Sequence, residues 1–342
     1  MEPLVKHQYD LIVVGLGISG LWLSYLASSQ NLKVLALDKN PQSCYLMTAS
    51  NGLTRRYHPT QGADLEGSLS MFDQLQMKAL QNGFNRGLEF YRKQKMTYVM
   101  DEIRGDYLKQ IAQEITPEDV RHHYPRFEVS DLKKCLINRD SSGLMFCDRI
   151  VSDLKLMSLH QGCNFHYNKH AIKIAKNFVV TADGDTHTSD FVAVCTNGEG
   201  FYDKFGLTPL LVRSATLTGD CAGLPEMFTD MTKEGNGFYG QRTGELLDQY
   251  IIGMTEYKNN VQIQEYINRR FPGGRIAEMH EYLDLRKDGK LSFVCEKDQD
   301  GLYHLYSPPY RLAPLYAKDI LDMMMKDKIS QISENISESQ KL

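Results

Sequence analysis

The residues with the clearest chemical meaning lie near the N-terminus: Gly15-Leu16-Gly17-Ile18-Ser19-Gly20, followed by Asp38. In a G-x-G-x-x-G turn the first glycine permits a tight bend. The second lets backbone approach a pyrophosphate, and the third lets a helix pack closely on a strand. The helix that follows points its positive dipole end at the phosphates. Asp38 closes the next apolar run, where a carboxylate can hold both ribose hydroxyls of an AMP half and disfavours a 2′-phosphate. The competing reading is a glycine-rich turn in a nucleotide-free fold. The strand before, the helix after and the carboxylate beyond set that aside. The pattern speaks for a dinucleotide and against NADP, and does not separate FAD from NAD.

Other reactive side chains cluster less convincingly. Cys163, His166 and His170 are ligand types, but strand alternation puts the two histidines on one face and the cysteine on the other. A zinc site needs converging ligands, so no metal is expected. His122 and His123 precede Tyr124-Pro125 at a helix end. Met323, Met324 and Met325 read as helix packing. No G-x-S-x-G elbow, P-loop or H-E-x-x-H motif is present.

The elements that must position the glycine turn are legible around it. YDLIVV (9–14) reads as a strand buried on both faces, 18–30 as a helix and KVLALD (33–38) as a second parallel strand, a βαβ unit. Residues 11–32 carry no charge and approach membrane-spanning length. A β-branched run into three glycines reads instead as strand, turn and helix. Glu2 and Asp10 also disfavour a signal peptide. Residues 41–62 read as a polar loop with a basic cluster, TRRYHPT, and 68–95 as a helix. Residues 116–126 open as a short helix with Thr116 as N-cap and Pro117 in the first turn. SSGLMFCDR (141–149) reads as a turn leading into a helix at 150–161. AIKIA (171–175) and FVVTADGDTHTSDFVAVC (178–195) give strands and a hairpin, ending at Thr196-Asn197-Gly198. Alternation from 210 to 256 predicts a second, antiparallel sheet. A helix over 259–271, strands over 282–306 and a helix over 313–326 follow, with a polar tail expected to fray from 327.

The chain has 342 residues, 42% hydrophobic and 24% charged, with a net charge of -4. That length fits about two structural units at roughly 150 residues each. The mix is globular and excludes disordered, collagen-like and disulfide-scaffold classes. Lacking a basic surplus, the chain is not expected to bind nucleic acid. Seven scattered cysteines without a C-x-x-C pair suit a reducing, cytoplasmic compartment.

Several segments together resemble the FAD-dependent amine and amino-acid oxidases of the D-amino-acid oxidase superfamily, such as glycine oxidase and monomeric sarcosine oxidase. The resemblance runs in order from residue 9 to about 325. YDLIVVGLGISGLWLSYLAS is similar to the family's FAD fingerprint. Thr48 to Arg55 sits where relatives have a loop near the pyrophosphate and flavin, which brings in Ser50, Asn51, Gly52, Thr54, Arg55 and Arg56. Ala171 falls where relatives contact adenine, and VAVCTNG matches their strand beside the cofactor, with Thr196, Asn197 and Gly198. GFYGQRTGELLDQYIIGMTEY resembles the substrate hairpin, and places Tyr239 on the substrate side. LDLRKDGKLSF resembles the strand whose arginine, here Arg286, holds a substrate carboxylate. SPPYRLAPLYAKDIL resembles the last FAD loop, with Tyr310, Arg311, Leu312 and Ala313.

The resemblance implies an α/β fold: a doubly wound, Rossmann-type FAD domain (1–75, 140–205 and 295–330) interleaved with an antiparallel-sheet substrate domain (76–139 and 206–294), then a tail (331–342). It implies FAD, with Gly15, Gly17, Ile18, Ser19, Gly20, Asp38 and Lys39 at the AMP half. The implied reaction is oxidation of a C–N bond in a small amino acid or secondary amine, with O2 or another acceptor taking the electrons. Such chemistry rests on orientation, for which a guanidinium–carboxylate fork is suited. Catalytic roles fall to Arg286, Tyr239 and Arg311, and Arg55 and Arg56 can supply positive charge to the cofactor. Three departures stand out. Pro308 and Pro309 remove two N–H donors from the last loop. The lysine that sarcosine oxidase uses with oxygen is missing near Ile251, a role open to Arg311. The cysteine that some relatives link to flavin is missing near Leu283, so non-covalent FAD is expected. A weakly catalytic FAD-binding subunit of a complex or a homo-oligomer, and a tailoring enzyme for a larger amine, stay open as alternatives.

Overall fold

The structure is a computed structural model. It describes residues 8–44, 54–58, 64–101, 106–219, 221–233, 235, 237–243, 249–255 and 258–339. Strand Tyr9–Val14, helix Ile18–Ser29 and strand Val34–Leu37 form the βαβ unit that the sequence predicts. They begin a parallel sheet whose order is Asn164–His166, Val34–Leu37, Tyr9–Val14, Thr186–Val194, Tyr303–Tyr306. Alternation assigns its two faces. Leu11 and Val13 pack among residues of helices Ile18–Ser29, Cys147–His160 and Ala313–Ser339. Ile12 and Val14 face a second cluster containing Val179, from the antiparallel hairpin Ala171–Ala175 and Phe178–Thr181. Helices cover one side and a β arm the other.

The second sheet has nine strands. Its order runs Lys290–Leu291, Arg275–Lys287, Thr208–Thr218, Gln249–Met254, Phe238–Arg242, Met227–Asp230, Met96–Met100, Lys134–Asn138, Gln113–Ile115. All pairings are antiparallel except Met227–Asp230 with Met96–Met100. One helix that packs on this sheet, Asn260–Arg270, starts from an Asn259–Gln262 capping box. Its last residue, Arg270, is fully buried and pairs with Asp230 at 3.0 Å. Thr116 caps Pro117–His123 reciprocally with Asp119, as its sequence position implies.

Four local expectations are corrected. The helix over 68–95 is Leu65–Gln81; Gly83, at φ +74°, ends it, and 91–93 is a strand. Thr54–Tyr57, read as loop, is a strand paired with Gly143–Phe146, itself read as a turn. Their polar and glycine content hid the pairing. The last helix does not fray at 327 but runs to Ser339. Its tail carries no Gly or Pro to break the helix.

A buried titrating pair sits behind the parallel sheet. His304 Nε2 lies 2.6 Å from Asp298, which also pairs with Lys204 at 2.7 Å and accepts from the Asp300 and Leu302 N–H groups. Burial lowers the His304 pKa despite that carboxylate. Burial also opposes the Asp298 charge, but bonds from Lys204 and His304 outweigh it and bring it down to about 2. Both folded values lie below the unfolded ones, so both contributions are present at neutral pH and fade on acidification. The thermal midpoint is expected to be flat above pH 7 and to fall below about pH 6.5, the unfolded histidine value. His187 shifts in the same direction. In His304→Asn the first step should shrink; an unchanged pH profile would assign it to His187.

Candidate active site

One cavity of about 1590 Å³ lies between the two sheets. It exceeds the roughly 300–1,000 Å³ of an ordinary small-ligand pocket. At one end it meets the carboxyl ends of the parallel strands, at Val14, Leu37 and Cys195. Open α/β sheets bind ligands there. Gly15 adopts φ +99°, and a Cβ on it would lie 2.6 Å from the Cys195 carbonyl oxygen, so only glycine fits. Gly17 is extended, and a Cβ there would meet nothing within 4 Å. Helix Ile18–Ser29 starts with no side-chain cap and no acid in its first turn. Its positive end is therefore open to the cavity, which Gly17, Ile18 and Ser19 line. Gly20 lies behind the wall, where a Cβ would overlap the Gly15 carbonyl oxygen.

Asp38 is 8% exposed and lines the same end. Its Oδ2 accepts from the Leu16 N–H at 2.7 Å and its Oδ1 from the Asn40 N–H at 2.8 Å. Each oxygen keeps acceptor capacity for a hydroxyl. Lys39 also lines the cavity, but pairs with Glu199 at 2.6 Å on the surface. Ala171, Thr196 and Asn197 complete this end. Gly198 sits behind it against the Tyr202 ring.

The other end belongs to the antiparallel sheet and to strand Thr54–Tyr57. Arg55 and Arg56 both line it, so neither is a solvent-facing side chain. Arg55 Nη1 donates to the Thr54 carbonyl at 3.0 Å. Arg56 Nη1 donates to the Phe228 carbonyl at 2.9 Å and the Thr229 hydroxyl at 2.8 Å, and its guanidinium lies 3.9 Å from the Tyr239 ring centre. Thr54 is buried behind them, bonded to Gln241. The Tyr239 and Tyr282 hydroxyls meet at 3.1 Å.

Tyr282, Asp284 and Arg286 alternate on strand Arg275–Lys287, and all three line the cavity. Arg286 Nη2 donates to the Thr255 carbonyl and lies 4.0 Å from Asp284, while Nε is buried with no hydrogen-bond partner. Its neighbouring acid is thus Asp284, not Asp288 in the following turn. Tyr310 and Arg311 line this end beside Pro308 and Pro309. Burial, with Arg56 nearby, lowers the Arg311 pKa to about 10, which leaves it charged at neutral pH. Leu312 and Ala313 are core residues below the wall. Ile251 is buried in the sheet outside the cavity. Ser50, Asn51 and Gly52 lie outside the described residues. Sequence reasoning missed Tyr282, Asp284 and Gln241; the alternation Tyr282-x-Asp284-x-Arg286 is the signal that could have found two of them.

A protein-family model described as FAD dependent oxidoreductase matches residues 10–323. The chain belongs to this family. It is an oxidoreductase, and FAD is its cofactor. Several solved structures share the fold of this FAD-dependent oxidoreductase. NikD, described as an unusual amino acid oxidase essential for nikkomycin biosynthesis, is 14% identical, with 93% of this chain and 94% of that one covered and a TM-score of 0.77. Glycine oxidase from Bacillus cereus is also 14% identical, with coverage of 94% and 96% and a TM-score of 0.73. L-proline dehydrogenase from P. horikoshii is 12% identical, with 94% of each chain covered and a TM-score of 0.73. No curated protein matches the chain by sequence.

The walls fit FAD. The open space at Gly17 and the uncapped helix suit its pyrophosphate, and Asp38 suits its ribose. The proline-bearing loop borders the cavity without closing it. No helix among the described residues is long and apolar enough to cross a membrane. Among the described residues no three His, Cys, Asp or Glu side chains form a metal-ligand group; Cys163 is buried in the helix-side core.

Proposed function

We propose that this FAD-dependent oxidoreductase oxidises the C–N bond of a small amino acid or secondary amine. The product is an imine that hydrolyses to an oxo acid, and O2 or another acceptor takes the electrons. One observation carries this reading: a single cavity joins the uncapped glycine turn to a group made of Arg286, Tyr239 and Tyr282. Bound FAD supplies the two-electron acceptor.

The chain's own groups orient the substrate. Arg286 offers a guanidinium edge whose Nε is buried without a partner, which suits a carboxylate. Of the paired Tyr239 and Tyr282 hydroxyls, one donates to the other and leaves a proton for the same carboxylate. Arg56 packs on the Tyr239 ring and fixes it. Arg311, beside Arg56, brings positive charge to the cavity wall and is the candidate to replace the lysine of sarcosine oxidase. Arg55 contributes charge on the same side. Leu283 lines the wall but offers no nucleophile, and Cys195 lies beside Gly15 at the opposite end, its thiol pKa pushed up by burial. This supports non-covalent FAD.

The test is the visible spectrum of purified, FAD-loaded protein under anaerobic conditions. Adding pooled amino acids and N-methyl amines should bleach the flavin, and dividing the pools should isolate the substrate. A flavin that dithionite bleaches but no pool does would overturn the proposal.

A further inference from the structure

We infer that Asp284 holds the amine nitrogen of the substrate, so that Asp284 and Arg286 together clamp the two charges of an amino acid. This rests on the amine-oxidation reading above. The two residues stand two apart on one strand, on the same face, and both line the cavity. Two residues of strand span about 6.6 Å. The charged groups themselves lie 4.0 Å apart, which suits one polar contact to each end of an α-amino acid, whose ammonium and carboxylate are joined through a single carbon.

Asp284 has an ion-pair partner in Arg286, but at 4.0 Å the two are not hydrogen-bonded. The Asp284 side chain is 24% exposed, and among the described residues nothing donates a hydrogen bond to it. The nearest cation, Arg286 Nη2, is 4.0 Å away and already donates to the Thr255 carbonyl. Tyr282, its other neighbour on that face, is engaged with Tyr239. A carboxylate set in a cavity wall without a donor is costly, and burial raises the Asp284 pKa although Arg286 and Arg55 oppose the rise. A substrate ammonium supplies the missing donor, and one of its protons passes to the Asp284 carboxylate to leave the neutral amine that is oxidised. If Asp284 served only to steady Arg286, a direct hydrogen bond between them would be expected; Arg286 Nη2 donates to the Thr255 carbonyl instead.

The assignment makes Asp284 a selectivity device. It favours amino acids over carboxylic acids that lack the amine. Two probes isolate that contribution: 2-aminoisobutyrate and pivalate. They share a carboxylate and differ by an ammonium in place of a methyl group. The amino acid has no hydrogen on Cα, so it cannot turn over. Calorimetric titration of the FAD-loaded enzyme should show tighter binding of 2-aminoisobutyrate than of pivalate. Asp284→Asn should weaken 2-aminoisobutyrate by about tenfold or more, the equivalent of roughly 1.4 kcal/mol, and leave pivalate unchanged or tighter. Arg286→Gln should weaken both. Asp284→Ser repeats the comparison, so a folding defect peculiar to one variant does not hide the answer.

Unchanged 2-aminoisobutyrate binding in both Asp284 variants overturns the assignment while the proposed function stands. Equal losses for both probes also overturn it, because Asp284 then acts only through Arg286. A wild-type enzyme that binds neither probe sinks the carboxylate-site reading itself, and Asp284 with it.

Discussion

Arg286→Gln should lower kcat/KM by about 100- to 1,000-fold on whichever substrate bleaches the flavin, with FAD content unchanged. Removing one partner of a largely desolvated, hydrogen-bonded charge pair costs on the order of 3–4 kcal/mol, and each 1.4 kcal/mol is about tenfold. The Arg286 side chain is only 16% exposed, so solvent screens little of that loss. Part of the effect should fall on kcat, because the carboxylate anchor also aims the Cα–H. Arg286→Lys keeps the charge without the planar fork and should recover only part of the rate. The flavin spectrum reports that the cofactor site is intact in each variant. A loss below about fivefold, far from the cost of a buried pair, would remove Arg286 from the carboxylate. A loss of about 100- to 1,000-fold in Arg55→Gln instead would move the anchor to strand Thr54–Tyr57.

The nucleotide end was the most legible part of the chain, for a physical reason. Tyr9–Val14 is buried on nearly all sides, Gly15 needs a positive φ, and helix Ile18–Ser29 follows at once. Each demand leaves a residue-type signature. The substrate end is harder to read because its strands carry polar side chains inward. Thr54-Arg55-Arg56-Tyr57 has no apolar alternation, since its arginines line the cavity rather than a core. It reads as loop until its pairing with Gly143–Phe146 is known. Arg286 was found through a family resemblance, and Asp284 escaped notice because one acidic residue in a charged segment draws no attention until its alternation with Tyr282 and Arg286 is read. Its meaning comes from register: Thr208 pairs with Arg286 and Leu210 with Asp284, which fixes both on one face of the same sheet. That pairing joins residues far apart in sequence, and no local pattern encodes it.

Two alanine substitutions, three residues apart, should fail in opposite ways. Gly20→Ala places a methyl group on the Gly15 carbonyl oxygen, which belongs to backbone and cannot rotate aside. Overpacking costs about 1–3 kcal/mol and sometimes more, and a backbone clash in the central βαβ unit belongs at the upper end. The variant should lose at least several degrees of thermal midpoint even without cofactor, or fail to accumulate as soluble protein. Gly17→Ala meets no protein atom within 4 Å, and its φ of −68° suits alanine. Its fold should therefore survive, with an apoprotein midpoint close to wild type. The new methyl group points into the space where the pyrophosphate must approach, so FAD affinity should fall about 10- to 100-fold, as expected for 1.4–2.8 kcal/mol. Titrating apoprotein with FAD, alongside thermal melts without it, separates the two. Should Gly17→Ala bind FAD as tightly as wild type, the close approach at Gly17 is not where the phosphates lie. Should Gly20→Ala melt normally, the turn has room that its backbone geometry denies, and the third glycine is there for some reason other than packing.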